Sequence, residues 1–134
     1  MPFYAHSLTH KTEEYWQLLK DHLENASTLA ADFGAAFNCR DWAAWLAFLH
    51  DLGKYSHLFQ KRLRGGSRVD HSLAGALEAM RLLEQTGLKS LRHIAAHLIS
   101  GHHTGLAGGI STGHAGVSLK ERLGGRGDMP EYFA

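Results

Sequence analysis

Cys39 is the only cysteine among the 134 residues. No disulfide can close within the chain, and no cysteine cage for zinc can be assembled. No apolar run is long enough to span a bilayer. Residues Met1 to Ser7 carry neither the basic nor the apolar stretch of a secretory leader. The formal net charge is only +1, so the whole molecule projects no strong field towards a polyanion, and any attraction to phosphate must be local. These absences fit a cytoplasmic protein that makes no use of a membrane. Alternating strand-like patterning is absent as well, and the expectation is that no strand forms.

Histidine, by contrast, is abundant, with eleven copies spread along the chain rather than gathered in a run. Imidazole titrates near neutrality and is the commonest metal-ligating side chain. A chain rich in histidine and poor in cysteine points to histidine–carboxylate chemistry. The remaining composition, 44% hydrophobic and 20% charged, is that of one ordinary globular domain.

Apolar periodicity predicts an all-α fold. Thr12 reads as the cap of a long first helix whose stripe is Tyr15, Leu18, Leu19, Leu23, Ala26, Leu29, Ala30, Phe33 and Phe37, with Asn38 as its stop. His22 lies on that stripe. Asp41 reads as the cap of a second helix carrying Trp42, Trp45, Leu46 and Leu49, which Gly53 ends. Ser56 is expected to cap a short third helix containing Leu58, Phe59 and Leu63, closed by Gly65-Gly66. Asp70 is expected to cap a fourth, with Leu73, Ala76, Leu77, Met80 and Leu83. A fifth carries Leu91, Ile94, Ala95, Leu98 and Ile99 and stops at Gly101. Glycine then dominates from Gly105 to Gly116, before a short helix over Val117 to Leu123. The domain is expected to occupy residues 1–123, with 124–134 as a glycine-rich flexible tail.

His50-Asp51 falls at the end of the second helix. Neighbouring helical residues point about 100° apart, so the pair can converge only on a point beyond the helix end. Asp51 has two oxygens and can bridge two ions, and an acidic group behind so apolar a helix needs a partner. The plain alternative is a capping aspartate beside a surface histidine. His22 can equally be a hydrogen-bonded core residue, and His71, behind Asp70, a surface residue. His102-His103, directly after Gly101, can be aimed at one ion or sit in a solvated loop. Lys54, three residues after Asp51, can stabilise developing negative charge or simply favour a helix C-terminus. Lys61, Arg62, Arg64 and Arg68 form a basic stretch able to meet a phosphate backbone or to lie solvated. His93 and His97 have metal-ligand spacing but fall off the predicted core face. His6, His10, His57 and His114 have no partner that spacing suggests.

Together these segments resemble the HD nuclease domain of type I CRISPR-associated helicase–nucleases, including its stand-alone subunit form. The matching stretches are Tyr4-Ala5-His6-Ser7, Asp21-His22-Leu23, Leu49 to Ser56 with Phe59-Gln60, Val69 to Ser72 with Ala74-Gly75-Ala76, and Gly101 to Leu106. His50-Asp51-Leu52-Gly53-Lys54 is shared by many HD phosphohydrolases. The ordered set with the late double histidine is more specific.

The resemblance implies an HD-domain helical bundle with a two-metal centre. One ion would be held by His22, His50 and Asp51, and a second by His71, His102 and His103 with Asp51 bridging. Asp51 and Lys54 would be catalytic, with Lys54 near the scissile phosphate; Lys61 and Arg62, from the basic stretch, are further candidates against the substrate. It further implies hydrolysis of single-stranded DNA in CRISPR interference, with a helicase domain or subunit and the surveillance complex as partners. Imidazole-rich ligation favours manganese, iron, cobalt or nickel, with magnesium or calcium as further candidates. The family pattern ends with another aspartate on a later helix. Asp128 is the only aspartate after His103 and lies in Gly-Arg-Gly-Asp-Met-Pro, so the chain reads as a shortened HD domain. A nucleotide or cyclic-dinucleotide phosphohydrolase, or a weakly catalytic HD fragment that serves to bind, are the competing expectations.

Overall fold

The computed structural model describes residues 1–103, 105 and 118–124. Six α-helices are present among them: α1 (Leu19–Ala35), α2 (Arg40–Leu49), α3 (His57–Leu63), α4 (Ser72–Glu84), α5 (Arg92–Ser100) and α6 (Leu119–Gly124). The expected all-α class is what the chain adopts. No described helix is long and apolar enough to cross a membrane. The expected tail beyond Gly124, with Asp128, lies outside the described residues, as do Val117 and His114.

Two short strands correct the strand-free expectation. β1 (Tyr4–His6) pairs antiparallel with β2 (Gln17–Leu18). Strands this short carry too few residues for a period-two pattern. The buried amide of Gln60 holds β1 in place. Its Oε1 accepts from the Tyr4 N–H at 3.0 Å, and its Nε2 donates to the carbonyls of Tyr4 at 2.9 Å and Lys54 at 2.8 Å.

The first long helix begins at Leu19, not after Thr12, which precedes a single 3-10 turn over Glu13–Tyr15. Its packed face also differs from the predicted stripe. Leu19 and Leu23 of that stripe are buried as expected, together with Gly34, but Tyr15, Leu18, Leu29, Phe33 and Phe37 are exposed. Size misled the periodic reading. α1 meets α2 through small residues, and a Cβ on Gly34 would stand 2.7 Å from the Ala43 Cβ. Asn38 does mark the stop, with a left-handed φ of 55°.

Asp41 lies in the first turn of α2 and makes no side-chain cap, because the helix already starts at Arg40. Gly53 does not end α2; it belongs to a 3-10 turn over Leu52–Tyr55. Ser56 caps α3 as expected, accepting from the Phe59 N–H at 3.2 Å. Asp70 accepts the Ser72 N–H at 2.9 Å where α4 begins.

The main core joins Leu49 of α2, Ala76, Ala79 and Leu83 of α4, Ala95, Ala96 and Ile99 of α5, and Leu119 of α6. Here too small residues form the seam, while Ile94 and Leu98, expected inside, are exposed. α2 presses so closely on α4 that a Cβ on Gly75 would strike the Leu49 carbonyl oxygen. A second, smaller core of Ala5, Leu19 and Leu23 lies under Phe3 and Tyr55.

Candidate metal centre

Asp51 lies just past the C-terminus of α2 and is 2% exposed. Four imidazoles and one ammonium converge on its carboxylate. Oδ2 lies 2.9 Å from His22 Nε2, 3.1 Å from His50 Nε2 and 2.7 Å from Lys54 Nζ. Oδ1 lies 3.1 Å from His71 Nε2 and 3.3 Å from His102 Nε2. His103 adds its Nε2 2.9 Å from that of His71. α1 thus supplies His22, the end of α2 supplies His50 and Asp51, the start of α4 supplies His71, and the turn after α5 supplies His102 and His103.

The ring orientations are fixed from outside. The Nδ1 of His50 is 2.6 Å from the Ala47 carbonyl oxygen, and that of His102 is 2.6 Å from the Ile99 carbonyl oxygen. A carbonyl only accepts, so each Nδ1 carries its hydrogen. In the neutral ring Nε2 is then a bare lone pair aimed at Asp51. Such backbone-tethered imidazoles are the usual outer support of metal ligands.

Orphaned atoms give the sharper test. Asp51 Oδ1 and His102 Nε2 are both buried and neither makes a hydrogen bond, despite their closeness. Two acceptors facing each other without a hydrogen between them call for a cation. The donor set of imidazole nitrogens and carboxylate oxygens fits a divalent metal. Two groups of ligand atoms, each within 4.8 Å of one another, meet this need. One is His22, His50 and Asp51; the other is Asp51, His71, His102 and His103. Asp51 belongs to both.

Electrostatics prepare these groups for such a role. Burial alone would push the Asp51 carboxyl up, but its close contacts, the Lys54 ammonium among them, hold it well below the ordinary carboxylate range. Burial lowers His22 and His103, favouring the neutral rings a metal needs. His50 is shifted upwards: burial opposes this, and the Asp51 carboxylate beside it overcomes the opposition.

The centre has two flanks. A cleft of about 740 Å³ reaches it past His6, Lys54, Phe59, Arg62, His71 and His103. On another side a smaller apolar groove is lined by Leu46, Ala47, Leu98 and Ile99, with His50 and His102 at its edge. Lys54 is buried, its ammonium against Asp51. Lys61, expected against substrate, is exposed and does not line the cleft; Arg62 does. Arg64 is occupied by Glu13. His93 is exposed and His97 half-buried, with no part in the centre. His6 is the residue that spacing missed. Its ring packs edge-on against His22 with centroids 5.1 Å apart, and it lines the cleft. Only the pairing of β1 with β2 brings it there.

The model of the HD domain family matches residues 19–129. The chain belongs to the HD domain family. Members are mostly metal-dependent hydrolases built as all-α bundles, which agrees with the helices and with the histidine–aspartate cluster. No curated protein matches the chain. His50 and Asp51 lie within the matched residues, and the described residues around them could hold a metal ion.

Proposed function

We propose that this HD domain is a two-metal nuclease that hydrolyses single-stranded DNA in CRISPR interference. A helicase and the surveillance complex would deliver the strand. The observation that carries the reading is the sharing of Asp51 between two groups of potential ligand atoms. His22 and His50 would hold one ion and His71, His102 and His103 the other, with one Asp51 oxygen turned to each. Bound divalent ions supply Lewis-acid activation of water and neutralise charge on the phosphoryl oxygens.

The chain's own residues supply the rest. Asp51 fixes the spacing of the two groups and remains ionised because its close contacts, the Lys54 ammonium among them, hold its carboxyl down. Lys54 sits between Asp51 and the cleft, where its ammonium can meet the negative charge that grows on a phosphodiester under attack. The fixed Nδ1–H contacts of His50 and His102 keep their rings from turning as substrate enters. The ordered motif set and its late double histidine support DNA as the substrate over a free nucleotide.

The test is metal content on protein purified without chelator, with cleavage of single-stranded DNA in added manganese, nickel or cobalt. Nearly two ions per chain and cleavage abolished in His50→Ala and Asp51→Ala are expected. Cleavage as fast in those variants as in the parent would overturn the assignment.

A further inference from the structure

The cleft beside the metal centre carries four cationic side chains, and they are not equivalent. Lys54 is committed to Asp51 at 2.7 Å. Arg122 is committed to Asp70 at 3.1 Å, to the Ser72 hydroxyl at 3.0 Å and to the Ser100 carbonyl at 3.0 Å. Arg62 and Arg68 line the same cleft, and neither has a carboxylate partner among the described residues. Among the described residues that line it, the one carboxylate, Asp70, is paired with Arg122, so Arg62 and Arg68 add positive charge to this concave surface, and such charge attracts an anion.

Arg62 is also held in place. Its guanidinium lies over the Phe59 ring, 5.5 Å from the centroid. The other contacts of that ring reach the centre itself: the His71 ring at 4.9 Å and the Lys54 ammonium at 5.4 Å. Phe59 is buried, so Arg62 is tied at a fixed reach from the ligand His71. Arg68 comes to the cleft from beyond the Gly65-Gly66 turn, where Gly65 takes a φ of 99° that reverses the chain after α3. A planar guanidinium binds phosphate through paired N–H donors.

We infer that Arg62 and Arg68 form a phosphate subsite for the nucleotide next to the scissile bond, so that the cleft takes a strand with at least two phosphates rather than a lone phosphodiester. This rests on the nuclease reading above. Both arginines are positioning residues: they grip a non-reacting phosphate and leave the bond-breaking atoms to the centre. The cleft has room for this, since about 740 Å³ is within the range of sites that enclose an organic ligand.

Binding and turnover together test the subsite. Affinity for a fluorescent single-stranded oligonucleotide is measured by anisotropy in EDTA, where metal-dependent cleavage cannot consume the probe. Hydrolysis of the same oligonucleotide and of bis(p-nitrophenyl) phosphate, which has one phosphate, is then measured with manganese. The expected result for Arg62→Gln with Arg68→Gln is binding weaker by about tenfold or more, with a salt dependence reduced by about one unit per arginine. KM for the oligonucleotide should rise while kcat and the small diester's kinetics stay unchanged, and lysine at both positions should restore part of the affinity. Unchanged binding, or an equal loss on both substrates, would overturn the inference. A parent that binds the oligonucleotide through these arginines but hydrolyses neither substrate would sink the nuclease reading and leave the anion subsite standing.

Discussion

Gly53 lies directly against the main chain of His71. A Cβ on Gly53 would run into the His71 carbonyl oxygen. The 3-10 turn that carries Lys54 and the segment that carries a candidate ligand are therefore in backbone contact, and only glycine permits it. Gly53→Ala must separate them. The expected outcome is a loss of about 1–3 kcal/mol in stability with weaker metal retention in the protein that remains folded. Chemical denaturation and metal analysis check it. Gly87→Ala is the control: a Cβ there meets nothing within 4 Å, and stability should hardly change.

The sharing of Asp51 predicts an asymmetric pattern in metal stoichiometry. Asp51→Ala should reduce both sites, because one oxygen faces each ligand group. His22→Ala should weaken one ion and spare the other, and His103→Ala should do the reverse. Each loss should be at least about tenfold in affinity, the least that outer-support changes alone produce. Elemental analysis after dialysis against graded chelator separates the cases. Equal loss of both ions in His22→Ala would mean that the two groups form one site.

Spacing alone left each member of this cluster with a plain alternative, and the ligand set came from the resemblance; the clearest local signals lie at helix ends. Gly101 followed by two histidines, and His50-Asp51 after the apolar α2, are such places. The core was harder. Large residues such as Phe33 and Phe37 dominate a periodic reading, yet α1, α4 and α5 pack through Gly34, Ala76, Ala79, Ala95 and Ala96. A reading weighted by side-chain size cannot see a seam made of small residues. Spacing gave His6 no partner for a different reason: it comes beside His22 through the pairing of β1 with β2, which no local periodicity encodes.

Acid should strip the metal before it unfolds the chain. Imidazole binds a cation only when neutral, so protons and metal compete for the same nitrogens. Burial lowers His22 and His103 and leaves them neutral at pH 7. His50 is raised and should take a proton before His22 and His103 as pH falls. Asp51 stays ionised throughout, because its close contacts, the Lys54 ammonium among them, hold its carboxyl far down. Metal affinity should therefore fall steeply between about pH 7 and pH 5, the range set by imidazole. Isothermal titration at stepped pH checks this. An affinity that held to pH 5 and fell only in the carboxylate range would show that the aspartate alone holds the ion.

Gln60 offers a test of how β1 is anchored. Its amide completes three main-chain partners, the N–H and C=O of Tyr4 and the C=O of Lys54. Gln60→Ala leaves these groups in a buried place with no partner, and an unpaired buried group costs about 1–3 kcal/mol. A loss of at least about 2 kcal/mol is expected, read from the midpoint of urea unfolding. Gln60→Glu separates the roles. A carboxylate still accepts from the Tyr4 N–H but cannot donate to the two carbonyls, so it should fall at least as far as alanine. Since β1 positions His6 beside His22, both variants should also widen the cleft at that end and lose hydrolytic rate beyond what the unfolded fraction explains. A rate that tracked the folded fraction alone would mean that the anchor serves stability and not the site.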